Sequence, residues 1–403
     1  MKYSQIRFLF LNVGHFLDHL FLLIFATAAA LRLTREWGLS YSELIPYATP
    51  GFIAFGVCAI PAGWLADRWS REGMMAVFFF GIGMAALLAS FANTPAQISI
   101  CLMIVGIFAA IYHPVGLAMV VEGLEKTGVP LAINGIFGNM GVASAALLTG
   151  LLIDSTSWRA AFAVPGVVSI LIGVGYLVFL RTATHIHASV AHTTASAKAD
   201  AISRRKLVKV FVIIFFTTAI GGLIFQSTTF ALPKVFEERL ATLADSATLV
   251  GWYSFMVFSI AAFAQLAVGY LVDNHSIRSV FLGVAMLQAI FFATMTQLTG
   301  VFALYAAIAF MLVVFGQIPI NDVLVGRIAK SEWRSRAYSL RYIVTFSVMA
   351  SAVPFIAWVH GKWGFDTLFA ILSVAAVLIF TAVLLLPNSH DPLMRASTLP
   401  NIS

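Results

Sequence analysis

An all-α membrane protein of twelve spanning helices, built as two pseudo-symmetric six-helix bundles, is what this sequence predicts. Three observations carry that reading. Of 403 residues, 61% are hydrophobic and 10% charged, whereas soluble domains hold about 25% charged residues. Apolar runs of the ~18 residues needed to cross a bilayer recur down the whole chain. Shifting the chain by about 205 residues lays the second half on the first, an internal repeat. Pro319 then falls on Pro114, Trp363 on Trp158, and Gly269 to Arg278 on Gly63 to Arg71.

In chain order, the first bundle (residues 1–180) holds spans at 6–31, 44–66, 73–93, 97–121, 129–153 and 159–180. Backbone groups in lipid must bond within their own segment, so each span is a helix. The segment 181–206 turns polar and ends in Arg204, Arg205 and Lys206, which makes it a linker. His185, His187 and His192 lie in this solvated stretch and receive no site. The second bundle (207–387) holds spans at 207–232, 247–272, 279–298, 301–325, 336–359 and 364–387, before a tail at 388–403. Cys58 and Cys101 fall inside spans, which excludes a disulfide framework. The first span is as long as a full crossing and no small-residue cleavage site follows it, so it is expected to stay as helix 1.

Lys and Arg are retained on the cytoplasmic side of short loops. With the N-terminus inside, only Arg32, Arg35, Arg159, Lys234, Arg239 and Lys362 of the 24 cationic residues fall outside. Both termini and the linker are therefore expected in the cytoplasm, with the chain in a bacterial inner membrane. The formal charge of +7 is explained by topology, not by nucleic acid. No Gly-Lys-Ser/Thr phosphate loop occurs, so energy is expected from an ion gradient. Nor does a Ser-His-Asp or metalloprotease pattern stand out; the chain is read as no enzyme, with no cofactor, and as a monomer whose partners are a small-molecule substrate, protons and lipid.

The densest polar run between spans is Gly63-Trp64-Leu65-Ala66-Asp67-Arg68-Trp69-Ser70-Arg71. Gly-x-Leu-Ala-Asp-Arg-x-x-Arg resembles the signature loop between helices 2 and 3 of the major facilitator superfamily of secondary transporters. The resemblance covers nearly the whole chain apart from the linker and tail, and implies two bundles that rock about a central cavity. It implies a gate of Gly63, Asp67, Arg68 and Arg71, in which Asp67 caps the start of helix 11 near Trp333 to Arg336. Helix N-termini attract carboxylates. The bland reading is that these charges only set topology. Asp273 and Arg278 belong to a degraded second copy, with Asn274 and His275 where the first has Arg68 and Trp69.

Helix 1 carries Gly14-His15-Phe16-Leu17-Asp18-His19 near mid-span. Ionisable groups at that depth are costly and usually functional. His15 and His19 share a face at i, i+4, and Asp18 stacks with His15 at i, i+3. Asp18 with His15 or His19 is expected to carry a proton. A divalent metal is a further reading, since His and carboxylate are ordinary ligands, and mutual satisfaction between helices is the structural one; no metal site is assigned. Helix 4 adds Tyr112-His113-Pro114, where the proline kinks the helix. The resemblance implies that helices 1, 4, 7 and 10 line the cavity, so His113 and Tyr112, with Gln226, Gln317 and Asn321 from the second half, are the expected substrate contacts. The amides serve equally as helix-to-helix hydrogen bonds, and Asp322 is as readily paired with Arg341 or Arg327.

Gly14-His15-Phe16 with Tyr112-His113-Pro114-Val115-Gly116 resembles the fosmidomycin-resistance branch, whose members export drugs. This chain departs from it at Leu17 and Val115, has no arginine near Leu102, and has Gly135, Gly138, Gly141 and Gly150 in helix 5 without Gly-Pro. Proton-coupled efflux of a small amphipathic compound is the expected function, as an antiporter. Proton-coupled uptake of a small polar metabolite is the alternative, ahead of divalent metal export or a receptor role.

Overall fold

The computed structural model describes residues 3–124, 128–183, 204–328 and 334–387. All regular structure there is helical: α1 (Tyr3–Trp37), α2 (Tyr41–Arg68), α3 (Arg71–Ser90), α4 (Pro95–Val121), α5 (Gly128–Ser155), α6 (Trp158–Ala183), α7 (Arg204–Arg239), α8 (Ala247–Asn274), α9 (Ile277–Met295) and α10 (Gly300–Ile328). A continuous run follows over Arg334–Leu384. Its 51 residues would measure about 76 Å at 1.5 Å per residue, more than twice a bilayer core of about 30 Å. The run is broken at Gly364, where φ is +76° and ψ is −175°, a conformation open to glycine because it has no Cβ. It therefore supplies two crossings, α11 (334–363) and α12 (364–384). Eleven helices among the described residues are long and apolar enough to cross a membrane, and the Gly364 break raises the count to twelve.

Several boundaries move outward from the sequence reading. α1 continues to Trp37 through a π turn at Ala29–Leu33, and α7 reaches Arg239, seven residues beyond the expected end at 232. Both extensions are anchored by charge: Trp158 Nε1 donates to Glu36 at 2.9 Å, and the Arg239 guanidinium donates to the Met295 and Leu298 carbonyls and to Asp366. Helix starts follow local chemistry. Ser40 and Glu43 form a capping box before α2, and Ser70, Thr94 and Ser246 each accept a backbone N–H two or three residues into α3, α4 and α8.

The repeat is visible in the packing. Within the first half α1 lies along α5, α2 along α4 and α3 along α6. The second half repeats this with α8 along α10, α7 along α11 where Gly222 meets Thr345, and α9 along α12 where Ser373 donates to the Ala289 carbonyl. The main seams between the halves are α5 with α8 and α2 with α11, and α1 also meets α7. At the first, a Cβ on Gly150 would sit 2.2 Å from the Ala247 carbonyl oxygen, and one on Gly251 2.7 Å from that of Ala146. Small residues here let two backbones approach to contact.

Candidate functional site

Four polar residues of α1 (Asn12, His15, Asp18 and His19) recur at helical spacing, and three of them (Asn12, His15 and Asp18) are buried. Opposite them α4 loosens. Pro114 has no N–H to give and its ring crowds the preceding turn, and the helix re-registers as a π turn over Tyr112–Gly116. Such turns are frequent where a helix must present side chains irregularly. Here two consecutive residues, Tyr112 and His113, both reach α1. Tyr112 stacks on His15 at 4.8 Å between centroids, and His113 meets His15 edge-on at 5.4 Å and His19 at 5.6 Å.

A hydrogen-bond network fixes this face. His15 Nδ1 lies 2.8 Å from the Asn134 carbonyl of α5. A carbonyl only accepts, so Nδ1 carries the hydrogen and, in the neutral ring, Nε2 carries the lone pair. Asn134 Nδ2 donates to Asn12 Oδ1 at 2.9 Å and to the Tyr112 hydroxyl at 2.8 Å, and that hydroxyl donates to the Leu11 carbonyl at 2.8 Å. Gly138 leaves the space that the His15 ring fills, since a Cβ there would stand 2.6 Å from Nε2.

Two expectations change. Asp18, expected to pair with His15 or His19, faces α4 instead, with Oδ2 3.4 Å from His113 Nε2. It is 0% exposed: the α1 turn that puts His15 and His19 on one another carries the intervening carboxylate round to α4. Tyr112, expected to touch substrate, is wholly buried and its hydroxyl is committed to Leu11 and Asn134, so it supports His15 from below. His113 also lies against Phe55 of α2 at 5.7 Å and Phe346 of α11 at 5.8 Å. Phe346 reaches across from the second half, its Cβ 3.0 Å from where a Cβ on Gly56 would be. His15, His19 and His113 each bring a ligand-capable atom within 4.8 Å of the other two.

The second-half amides Gln226, Gln317 and Asn321 are buried. Gln288 of α9 donates through Nε2 to the Val313 carbonyl at 3.2 Å and to Gln317 Oε1 at 2.8 Å. That leaves Gln317 Nε2 against Gly221 of α7. Gln226 and Asn321 are buried with Nε2 and Oδ1 respectively lacking a hydrogen-bond partner among the described residues. The side chain of Asp322 lies outside the described residues.

At one end of the bundle the gate loop is tied into its own half. Asp67 accepts from Arg71 Nη2 at 2.9 Å, Arg71 Nη1 reaches Glu122 at 3.2 Å, and Glu122 and Glu72 both pair with Arg7. Arg68 stacks on Trp64, and Gly63 lies against Pro114. The expected partner of Asp67, the side chains that open α11, falls outside the described residues, as do the linker histidines. In the second copy Arg278 caps α12 by donating to the Leu384 carbonyl at 2.7 Å, while Asp273 is exposed at the end of α8. Sequence reasoning missed Asn12, Asn134, Glu122 and Gln288. Of these, Asn12 had a signal, three residues before His15 on the same face, and Glu122 had another, as an acid closing span 4.

At the opposite end the halves are joined directly. Asp154 of α5 accepts from the Thr248 amide at 2.7 Å and hydroxyl at 2.6 Å at the start of α8. Ser42 meets His360 Nδ1 at 3.0 Å, His360 Nε2 meets Glu238 at 3.1 Å, and Arg35 pairs with Glu237.

Comparison with known proteins agrees with this architecture. The sequence model of the Major Facilitator Superfamily matches residues 11–244 and 239–400. The gallate transporter of Pseudomonas putida is 26% identical over 129 residues, 32% of this chain and 29% of that protein. The puromycin resistance protein of Streptomyces alboniger is 30% identical over 128 residues, 31% of this chain and 25% of that protein. These matches thus span less than a third of either relative. A 4-hydroxybenzoate transporter of Pseudomonas aeruginosa is 22% identical over 88% of this chain and 86% of its own. Among solved structures, a D-xylose-proton symporter superposes with a TM-score of 0.73 at 15% identity, covering 96% of this chain and 98% of its own. A bacterial homologue of the human lysosomal transporter Spinster, inward-facing and occupied, gives 0.75 at 13% identity, covering 98% and 99%.

Proposed function

Because the chain belongs to the Major Facilitator Superfamily and is thereby a secondary transporter, not an enzyme, we propose that its substrate is a small amphipathic organic acid, moved by alternating access with the proton as coupling ion. The observation that carries this reading is the meeting of imidazole and phenyl groups at one place. His113 lies against Phe55 of one half and Phe346 of the other, so an apolar ring and a polar group are served together. Relatives named for gallate, 4-hydroxybenzoate and cis,cis-muconate support the same chemistry.

Coupling to a cation follows from charge. Bringing one anion inward against an interior-negative potential costs about 2.3 kcal/mol per 100 mV, so concentrative uptake needs a co-transported cation. The distribution of Lys and Arg supports cytoplasmic termini in an inner membrane, which puts the Asp154–Thr248 and Ser42–His360 contacts on the outer face. The second reading is proton-driven export of a larger amphipathic compound, favoured by the match to a puromycin resistance protein. Reconstituted vesicles distinguish the two. Labelled 4-hydroxybenzoate is expected to accumulate under an acid-outside gradient and to stop accumulating with a protonophore. Movement of puromycin with no movement of the acid would replace the first reading by the second.

A further inference from the structure

The α1–α4 cluster has a geometry that proton carriage does not require. Zinc-bound imidazoles hold the metal at about 2.0–2.1 Å from nitrogen, which puts each ring centroid about 3.2 Å from the ion, and tetrahedral angles then separate centroids by about 5.2 Å. His15, His19 and His113 have centroids 5.0, 5.4 and 5.6 Å apart. Metal-bound histidines also donate their second N–H to a backbone carbonyl or a carboxylate, which fixes the tautomer and turns the bare nitrogen to the ion. Both devices are present. The Asn134 carbonyl takes the His15 Nδ1 hydrogen, leaving Nε2 buried with no hydrogen-bond partner among the described residues. The Asp18 carboxylate stands 3.4 Å from His113 Nε2, so that ring would ligate through Nδ1.

We propose that His15, His19 and His113 hold a divalent late first-row transition ion, of the zinc or cobalt kind, with Asp18 and the Asn134 carbonyl orienting two of the three rings. Three neutral imidazoles are ligands for such an ion and a poor match for calcium or magnesium, which take oxygen. With three protein ligands, the fourth tetrahedral position stays open. A cation there also supplies the charge that a fully buried Asp18 needs nearby, at a depth where an isolated carboxylate is costly. The ion would tie α1 to α4 inside the first half. The site does not depend on which compound is transported.

The test is cobalt titration of the full chain, purified in detergent through a tag without histidine and stripped with chelator. Wild type is expected to bind one equivalent with the visible bands of tetrahedral Co2+, displaced by Zn2+. His15→Ala and His113→Ala are expected to abolish those bands. Asp18→Asn is expected to weaken affinity 10- to 100-fold. A variant with His185, His187 and His192 all changed to Ala is expected to bind as wild type. Absence of tetrahedral bands in wild type, their survival in both His15→Ala and His113→Ala, or their loss in the linker variant would overturn the proposal. If the alanine variants fail to fold, X-ray absorption of the wild-type zinc complex decides. A shell of three nitrogens at about 2.0–2.1 Å supports the site, and an all-oxygen shell overturns it.

Discussion

One missing methyl group decides where His15 stands. Its ring occupies the space above Gly138, where a Cβ would lie 2.6 Å from Nε2, and Tyr112 backs its other face. Gly138→Ala is therefore expected to push the ring off its position, costing about 1–3 kcal/mol of overpacking and weakening cobalt binding at least 10-fold. Thermal unfolding in detergent and the cobalt titration check the two effects together. Tyr112→Phe separates them. It keeps the ring under His15 but strips the hydroxyl that joins Leu11 to Asn134, and leaving those buried groups unmet costs about 1–3 kcal/mol. Stability is expected to fall while cobalt affinity stays within about 3-fold of wild type, because the His15–Asn134 bond uses a backbone carbonyl that the substitution leaves in place. Equal loss of affinity in both variants would mean that the hydroxyl network, and not the glycine space, holds the ring.

Between elements, the contact with most leverage is the one at the start of α8. Asp154 accepts two hydrogen bonds from Thr248 at a helix N-terminus whose partial positive charge favours a carboxylate by about 0.3–1 kcal/mol, up to about 2 in sheltered geometry. The residue belongs to α5, so the interaction braces one half against the other. Asp154→Ala is expected to shift the molecule about 2- to 30-fold toward opening at that end. A cysteine at Thr27, buried among Val142 and Ala146 of α5, Thr229 of α7 and Phe258 of α8, reports it in a background lacking Cys58 and Cys101: its rate of labelling by an impermeant maleimide rises with opening. An unchanged rate would reduce Asp154 to a local cap. Spans, the Pro114 kink and the landmarks of the repeat were legible beforehand because each shows as apolar length, proline, glycine or tryptophan; the Gly364 break was not, since nothing nearby in sequence marks its positive φ. Asp154 was not, since an acid at a span end looks the same whether it faces water or another helix. Asp18 was seen, and the resemblance turned His113 toward helix 1, but their pairing was not legible: i, i+3 spacing offers His15, and the structure gives Asp18 to His113 from the π turn at Pro114.

At the scale of the whole molecule, the described residues join the two halves directly at the end away from the gate loop, and transport requires that contact to be reversible. Around the gate loop the ion pairs Arg7–Glu72, Arg7–Glu122 and Arg71–Glu122 stay within the first half, so they brace a bundle as a rigid body. At the far end Ser42, Arg35 and Asp154 of the first half reach His360, Glu237 and Thr248 of the second. The described structure is closed there. Rocking of one bundle about the α5–α8 and α2–α11 seams must part those pairs in every cycle, and each is a polar contact light enough to break, worth about 0.5–1.5 kcal/mol if neutral. A covalent bond in the same place is not. Ser42→Cys with His360→Cys, joined by a short bifunctional thiol reagent in the cysteine-free background, is expected to stop net flux of 4-hydroxybenzoate in proteoliposomes, whereas each single cysteine treated alike transports normally. Cleavage of a reducible linker is expected to restore the flux. Full transport by the cross-linked protein would mean that this end never opens, and the path would then have to be sought outside the interface between the two halves.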